Sequence, residues 1–245
     1  MKNFLRQIRD LVCRVLRCRE TGNGIMDKAA ILVAMFMMEG DYLEFGCFRG
    51  RSMIAAHKAI SDAYEMFCTS DAWAIYRHEA GARRKMFGQM RFFAFDSFKG
   101  LPAVEGLDAL SEEFKEGMYA CSESDFLKIV TSAGVPREKV ITVPGFYRDS
   151  LKPELRDQLK LRKAAVVWID CDLYESTKDA LEFLQPLVQD GTIFIFDDWY
   201  GYRGNPTLGE QRAWNEFVKA NPDWIFTEYQ KEGPWRNSFI ASKRY

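Results

Sequence analysis

The stretch Tyr42-Leu-Glu44-Phe-Gly46-Cys-Phe-Arg-Gly50-Arg-Ser52 decides how the chain is read. Tyr42 to Phe45 is a short strand, Gly46 allows a tight turn, and a helix is expected from Ser52 to Ser61. The same unit recurs downstream. Phe92-Phe-Ala-Phe ends on Asp96, Val140-Ile-Thr-Val follows a helix over Ser122 to Ser132, and Ala165-Val-Val-Trp-Ile ends on Asp170. A helix is expected over Ser176 to Val188, then the strand Thr192-Ile-Phe-Ile-Phe ending on Asp197, then a helix over Leu208 to Ala220. Two last strands, near Trp224–Tyr229 and Ser238–Ala241, face each other across Gly233-Pro234. Nearly continuous apolar strands alternating with helices imply an α/β fold, a mostly parallel sheet covered on both faces and closed by an antiparallel hairpin. Residues 63–90 read as an irregular insertion, helical around Asp71 to Phe87, and 99–121 as a surface loop rich in Gly and Glu.

Upstream of the first strand, the first 19 residues read as an amphipathic helix with Leu5, Ile8, Val12 and Val15 on one stripe and arginines around the rest. Such a helix suits packing on its own domain, pairing with a second subunit in a homo-oligomer, or docking on an anionic membrane. A second helix is expected from Asp27 to Met38. The chain therefore divides into a helical appendage at 1–40 and an α/β domain at 41–245.

Composition narrows the function classes. With 245 residues and 47% hydrophobic content, the chain can fill a core without disulfides or metal. Its 34 basic and 35 acidic residues argue against nucleic acid as the main partner. The six cysteines form no CxxC pair, which suits reduced thiols in a cytoplasmic enzyme. The longest apolar run, Ala29 to Met38, falls short of the roughly 20 residues of a transmembrane helix.

Chemistry is expected where the strands end, because ligands of an open α/β sheet bind beyond the carboxyl ends of its strands. Four strands finish on or beside an acid: Glu44, Asp96, Asp170 and Asp197. One such acid is an ordinary turn residue or cap. Four along one edge repel, a pair at 4 Å by about 4 kcal/mol at an effective dielectric near 20, so cations or hydrogen-bond donors must offset them. The turn at Gly46 matches neither a Walker A loop nor the dinucleotide pattern, yet Asp96 at the second strand end suits the two hydroxyls of a ribose. Asp170, Asp197 and Asp198 supply the oxygen ligands that a hard divalent ion prefers. Asp172, two residues beyond Asp170, lies on the same side of an extended segment and could take a substrate proton. Two plainer readings stay open: Asp172 as the cap of the next helix, and Asp198 as a solvated turn residue.

At these residues the chain resembles the macrocin O-methyltransferase family. The match consists of Glu44-x-Gly46-x-x-x-Gly50, Asp96-Ser97-Phe-x-Gly-Leu-Pro102, Gly145-Phe146 before a helix, Asp170-x-Asp172-Leu-Tyr-x-Ser-Thr177, and Asp197-Asp198, from about residue 41 to 200. The resemblance implies a class I methyltransferase fold in 41–245 and S-adenosylmethionine bound through Glu44, Gly46, Ser52, Asp96, Ser97, Gly145 and Phe146. It also implies a divalent ion, expected to be magnesium, on Asp170, Asp197 and Asp198, with Asp170 and Asp172 catalytic and Asp172 the general base. The acceptor would be a hydroxyl of a sugar or glycosylated small molecule. One departure stands out: the chain has no histidine after Asp198, so any role of a later histidine falls to another group, with Tyr200, Tyr202 and Arg203 as candidates. Rival readings are a phenolic or catechol acceptor, a glycosyltransferase using Asp170-Cys-Asp172 as a DxD motif, and a binding protein without catalysis.

Overall fold

The computed structural model describes residues 24–110 and 114–245. The helix expected over the first 19 residues, with the membrane and subunit readings attached to it, lies outside them. Helix α1 (Gly24–Met35) leads into β1 (Asp41–Phe45), α2 (Arg51–Thr69), a 3-10 segment (Asp71–Glu79), α3 (Ala80–Gln89) and β2 (Phe92–Asp96). Then come α4 (Glu123–Ser132), β3 (Val140–Pro144), the short helices α5 (Tyr147–Ser150) and α6 (Pro153–Gln158), and β4 (Ala164–Ile169). The chain continues through α7 (Tyr174–Leu184), β5 (Ile193–Phe196), α8 (Gly209–Ala220), β6 (Trp224–Glu232) and β7 (Arg236–Lys243).

The described strands form one sheet in the order β3-β2-β1-β4-β5-β7-β6. The first five run parallel, and β7 and β6 close the sheet antiparallel. The expected mostly parallel sheet with a closing hairpin is therefore present. Every residue of β1 and β4 is buried, as interior parallel strands require. Side chains alternate between faces. Tyr42, Ala94 and Trp168 pack with α1, α2 and α4, while Phe45, Phe95 and Ile169 pack with α7 and α8.

Two expectations need correction. Helix α2 does not stop at Ser61 but runs to Thr69, because Ala63, Tyr64 and Phe67 continue the buried stripe of Ala56 and Ile60. Residues 63–90 are thus the end of α2, the 3-10 segment and α3, with the helical character expected around Asp71 to Phe87 present and the irregular part absent. Arg83 of α3 explains both this order and the early end of α1. Fully buried, it donates from Nε to Ala34 O (3.2 Å) and from Nη2 to Met35 O (3.1 Å), satisfying carbonyls that the last turn of α1 leaves free. Its other nitrogen pairs with Glu79 at 2.7 Å, and its guanidinium lies over Phe67 and Tyr76. Helix α1, expected within an appendage, packs against α2 in the same core as the sheet.

Candidate active site

The five parallel strands bring their carboxyl ends to one edge, where a cavity of about 580 Å³ opens. That volume lies within the range of small-molecule sites. The turn after β1 reaches this edge only because residue 46 is glycine. It adopts φ +83°, and a Cβ there would stand 1.7 Å from the carbonyl oxygen of Asp170. Gly46, Asp96, Ser97, Gly145, Phe146, Asp170, Asp172, Asp197 and Asp198 all line the cavity, so the structure brings these expected site residues together.

Glu44 and Ser52 are not on the cavity wall. Glu44 is fully buried on the α2 face of β1, where its oxygens accept from Tyr42 Oη and Ser52 Oγ, both at 2.6 Å. Burial pushes its carboxyl up to about 8, against the hydrogen bonds of Ser52 and Tyr42, which favour the charged form. Both residues therefore support the turn from behind the cavity wall. Asp96 does face the cavity, and backbone amides fix its carboxylate: Oδ2 accepts from Cys47 N (2.7 Å) and Phe48 N (3.1 Å), and Oδ1 from Phe98 N (2.7 Å). Ser97 Oγ donates to Gly100 O at 2.7 Å and folds the following loop.

Across the cavity the acids crowd one another. One carboxylate oxygen from each of Asp170, Asp172 and Asp198 lies within 4.8 Å of the others. Asp197, expected as the third ligand, engages Arg236 of β7 instead, and Asp172 takes its place in the close group. Burial first, and then the charges of Asp197, Asp198, Asp172 and Glu44, push the Asp170 carboxyl well above the usual range. The Asp172 carboxyl is raised by burial, by the charge of Asp198, by a hydrogen bond shared with it, and by Asp197. Asp172 also has φ +60°, a left-handed conformation uncommon outside glycine.

Asp172 does not cap α7. That helix begins at Tyr174, two residues before the expected start, and its amides go to Asp108: Tyr174 N at 2.9 Å and Glu175 N at 3.4 Å. Asp108 lies in the loop after β2, is 3% exposed, and also accepts from Tyr202 Oη at 3.0 Å. Nothing in its local sequence marked it. Of the groups after Asp198, neither Tyr202, held by Asp108, nor Tyr200 or Arg203 is on the cavity wall. Glu210, at the start of α8, is the buried acid there: its Oε2 accepts from Asp198 N at 3.2 Å.

Solved structures with this architecture include the O-methyltransferase NovP, with a TM-score of 0.66 and 22% identity over 90% of this chain and 79% of that one. The calicheamicin methyltransferase CalS11 superposes with a TM-score of 0.63 and 20% identity, covering 95% of this chain and 83% of that one. Both identify the class I methyltransferase fold. In sequence, the chain is 30% identical over 166 residues to the 8-demethyl-8-(2,3-dimethoxy-alpha-L-rhamnosyl)-tetracenomycin-C 4'-O-methyltransferase of Streptomyces olivaceus, covering 65% of this chain and 53% of that protein. It is 34% identical over 110 residues to the demethyldecarbamoylnovobiocin O-methyltransferase of Streptomyces niveus, covering 42% of this chain and 40% of that one. The chain thus spans about half the length of the curated relatives it matches or less. The match to the macrocin-O-methyltransferase (TylF) family extends over residues 24–221, from α1 through α8, and the chain belongs to that family.

Proposed function

We propose that this chain is an S-adenosylmethionine-dependent O-methyltransferase that acts on a hydroxyl of a sugar or glycosylated small molecule, assisted by a divalent cation. One observation carries the reading: a ribose-type acid, Asp96 at the end of β2, and a crowded group of acids, Asp170, Asp172 and Asp198 beyond β4 and β5, line the same cavity. The names of the two relatives, both O-methyltransferases and one acting on a rhamnosyl compound, support the acceptor class.

The residues fit a cation. Three crowded carboxylates repel, and beside them the buried Oε1 of Glu210 has no hydrogen-bond partner. A bound magnesium-type ion would relieve that repulsion and lower the pKa of a hydroxyl coordinated to it. Asp170 and Asp198 would hold it, with Asp197 as third ligand once parted from Arg236. Asp172, with an oxygen within 4.8 Å of those of Asp170 and Asp198, would be placed to take the hydroxyl proton. S-adenosylmethionine supplies a methyl group already activated on sulfur. Asp96 accepts the ribose hydroxyls, since each of its oxygens can accept more than one hydrogen bond, and Gly46, Gly145 and Phe146 shape the remainder of that half. The protein otherwise contributes alignment and charge stabilisation.

The test is direct. Calorimetry should show S-adenosylmethionine binding and no binding of nucleotide sugars, and methyl transfer to glycosylated acceptors should require a divalent ion. Binding of nucleotide sugars in place of S-adenosylmethionine would overturn the reading in favour of the DxD glycosyltransferase. Preference for catechols over sugars would overturn the acceptor class alone.

A further inference from the structure

Helix α8 starts beside Asp198, whose amide donates to Glu210, and its start is tightly defined. Gly209 has φ +52°, and a Cβ there would stand 2.6 Å from the ring of Tyr202, which Asp108 holds in turn. The next residue, Glu210, is 2% exposed. An acid in the first turn of a helix is ordinary, because the helix dipole favours it. The ordinary account explains Oε2, which accepts from Asp198 N at 3.2 Å. It leaves out Oε1, which is buried and has no hydrogen-bond partner. Nor does it explain why a carboxylate, rather than a neutral side chain, stands within the electrostatic reach of Asp198, Asp170, Asp197 and Asp172, all of which disfavour its charge. Glu210 stands outside the close group of carboxylate oxygens, and its Oε2 is already engaged by the amide of Asp198.

We propose that Glu210 is an outer positioning residue of the cation site: Oε2 fixes the backbone of Asp198, and Oε1 accepts a hydrogen bond from the hydration shell of the ion held by Asp170 and Asp198. The inference rests on the cation reading above. Outer groups of this kind hold ligands and bound water in place, and their loss typically lowers metal affinity about 10- to 100-fold.

The experiment titrates the metal-free full chain with Mg²⁺ by calorimetry and with Mn²⁺ by water-proton relaxation. Glu210→Gln keeps the volume and an oxygen for Asp198 N but removes the charge. Glu210→Asp keeps the charge but withdraws the oxygens by one methylene. Glu216→Gln, on the same helix and bonded to Arg212 and Tyr174, makes the same change of net charge away from the acids. Affinity should fall about 10- to 100-fold in Glu210→Gln and clearly in Glu210→Asp, with altered relaxation of water on bound Mn²⁺, and should stay within about twofold in Glu216→Gln. The melting temperature of metal-free Glu210→Gln should be no lower than that of the wild type, because Gln keeps the volume and an oxygen for Asp198 N. Unchanged affinity in Glu210→Gln, or equal loss in Glu216→Gln, overturns the proposal. Full affinity in Glu210→Asp reduces the role to long-range charge and overturns it too. Failure of the wild type to bind either ion overturns the cation reading itself, and the role of Glu210 with it.

Discussion

The acids at the ends of β1 and β2 and those beyond β4 and β5 are held in opposite ways. On the β1–β2 side every carboxylate oxygen has a donor: Glu44 takes two hydroxyls, and Asp96 takes three backbone amides. On the β4–β5 side Asp170, Asp172 and Asp198 face one another, and Glu210 beside Asp198 has an oxygen without a partner. Arg236 offsets Asp197 there. A half whose acids are already satisfied is rigid before any ligand arrives, which suits a cofactor pocket. A half whose acids repel is completed by positive charge from outside. The same residue type at equivalent strand ends thus serves two purposes, and the partners of each acid, not its position, tell them apart.

The largest expected effect tests the crowded half. Chelator should abolish turnover and added magnesium restore it. With saturating cofactor and metal, Asp172→Asn should lower the single-turnover methyl-transfer rate by about 10²- to 10⁴-fold, the usual contribution of a general base. Magnesium affinity measured in the same variant sharpens the comparison. If it is unchanged, Asp172 is the base and Asp197 the third ligand. If it collapses, the close group in the structure is the ligand set. A near-normal rate would remove Asp172 from the chemistry altogether.

Next in size is the pH response of the satisfied half. The Glu44 carboxyl, pushed up to about 8 by burial from an ordinary 4.5, stays protonated in the folded chain across a window in which the unfolded chain is ionised. The folded state binds the extra proton there, so the contribution of Glu44 to stability is full below about pH 4.5 and is lost as pH rises through about 8. At about 1.4 kcal/mol per unit, the loss is about 5 kcal/mol at most. Melting temperatures from pH 6 to 9 should fall more steeply in the wild type than in Glu44→Gln, with or without magnesium. Equal slopes in both proteins would show that Glu44 is not the source.

The alternating apolar strands and the acids ending them were legible because strand period and turn chemistry are local. Those signals alone located Asp96, Asp170, Asp172, Asp197 and Asp198 on one rim. What stayed hidden were partners far apart in sequence. Arg83 closing α1, Asp108 capping α7 across 66 positions, and Arg236 reaching back to Asp197 leave no local signature. Glu210 was missed because an acid at the start of a helix is common. The spacing of Glu44 from Gly46 and Gly50 marks it as part of the motif, while strand alternation, which the motif does not show, turns its side chain toward Ser52 of α2. Helix α2 continues past Ser61 although Asp62 and Glu65 interrupt the apolar letters, because Ala63, Tyr64 and Phe67 keep the buried face.

Third comes cofactor affinity. Asp96→Ala removes a carboxylate that would accept charged hydrogen bonds from a ribose, each worth about 1.5–3 kcal/mol. S-adenosylmethionine should bind at least tenfold more weakly by calorimetry, while magnesium affinity stays within about twofold. Loss of both together would mean that the two halves are not independent, since the amides of Cys47 and Phe48 released from Asp96 would have let the whole rim shift.

The smallest effect concerns Asp108, which belongs to neither half but holds the loop after β2 against α7 and Tyr202. Asp108→Ala leaves the amide of Tyr174 and the hydroxyl of Tyr202 without their acceptor in a buried setting, whereas Asp108→Asn keeps an oxygen, and Asn caps helices nearly as well as Asp. Loss of a cap costs about 0.5–2 kcal/mol, or a fall of roughly 1–8 °C in melting temperature for a domain of this size. The alanine variant should show that fall and the asparagine variant almost none. Because Asp108 lines the cavity and fixes the first turn of α7 close to Asp172, the alanine variant should also raise the KM for the acceptor and leave magnesium affinity unchanged. A fall in melting temperature with normal KM would make Asp108 a helix cap and nothing more. A raised KM in both variants would instead point to the charge of Asp108 itself as part of the acceptor pocket, extending the crowded half of the rim into the loop.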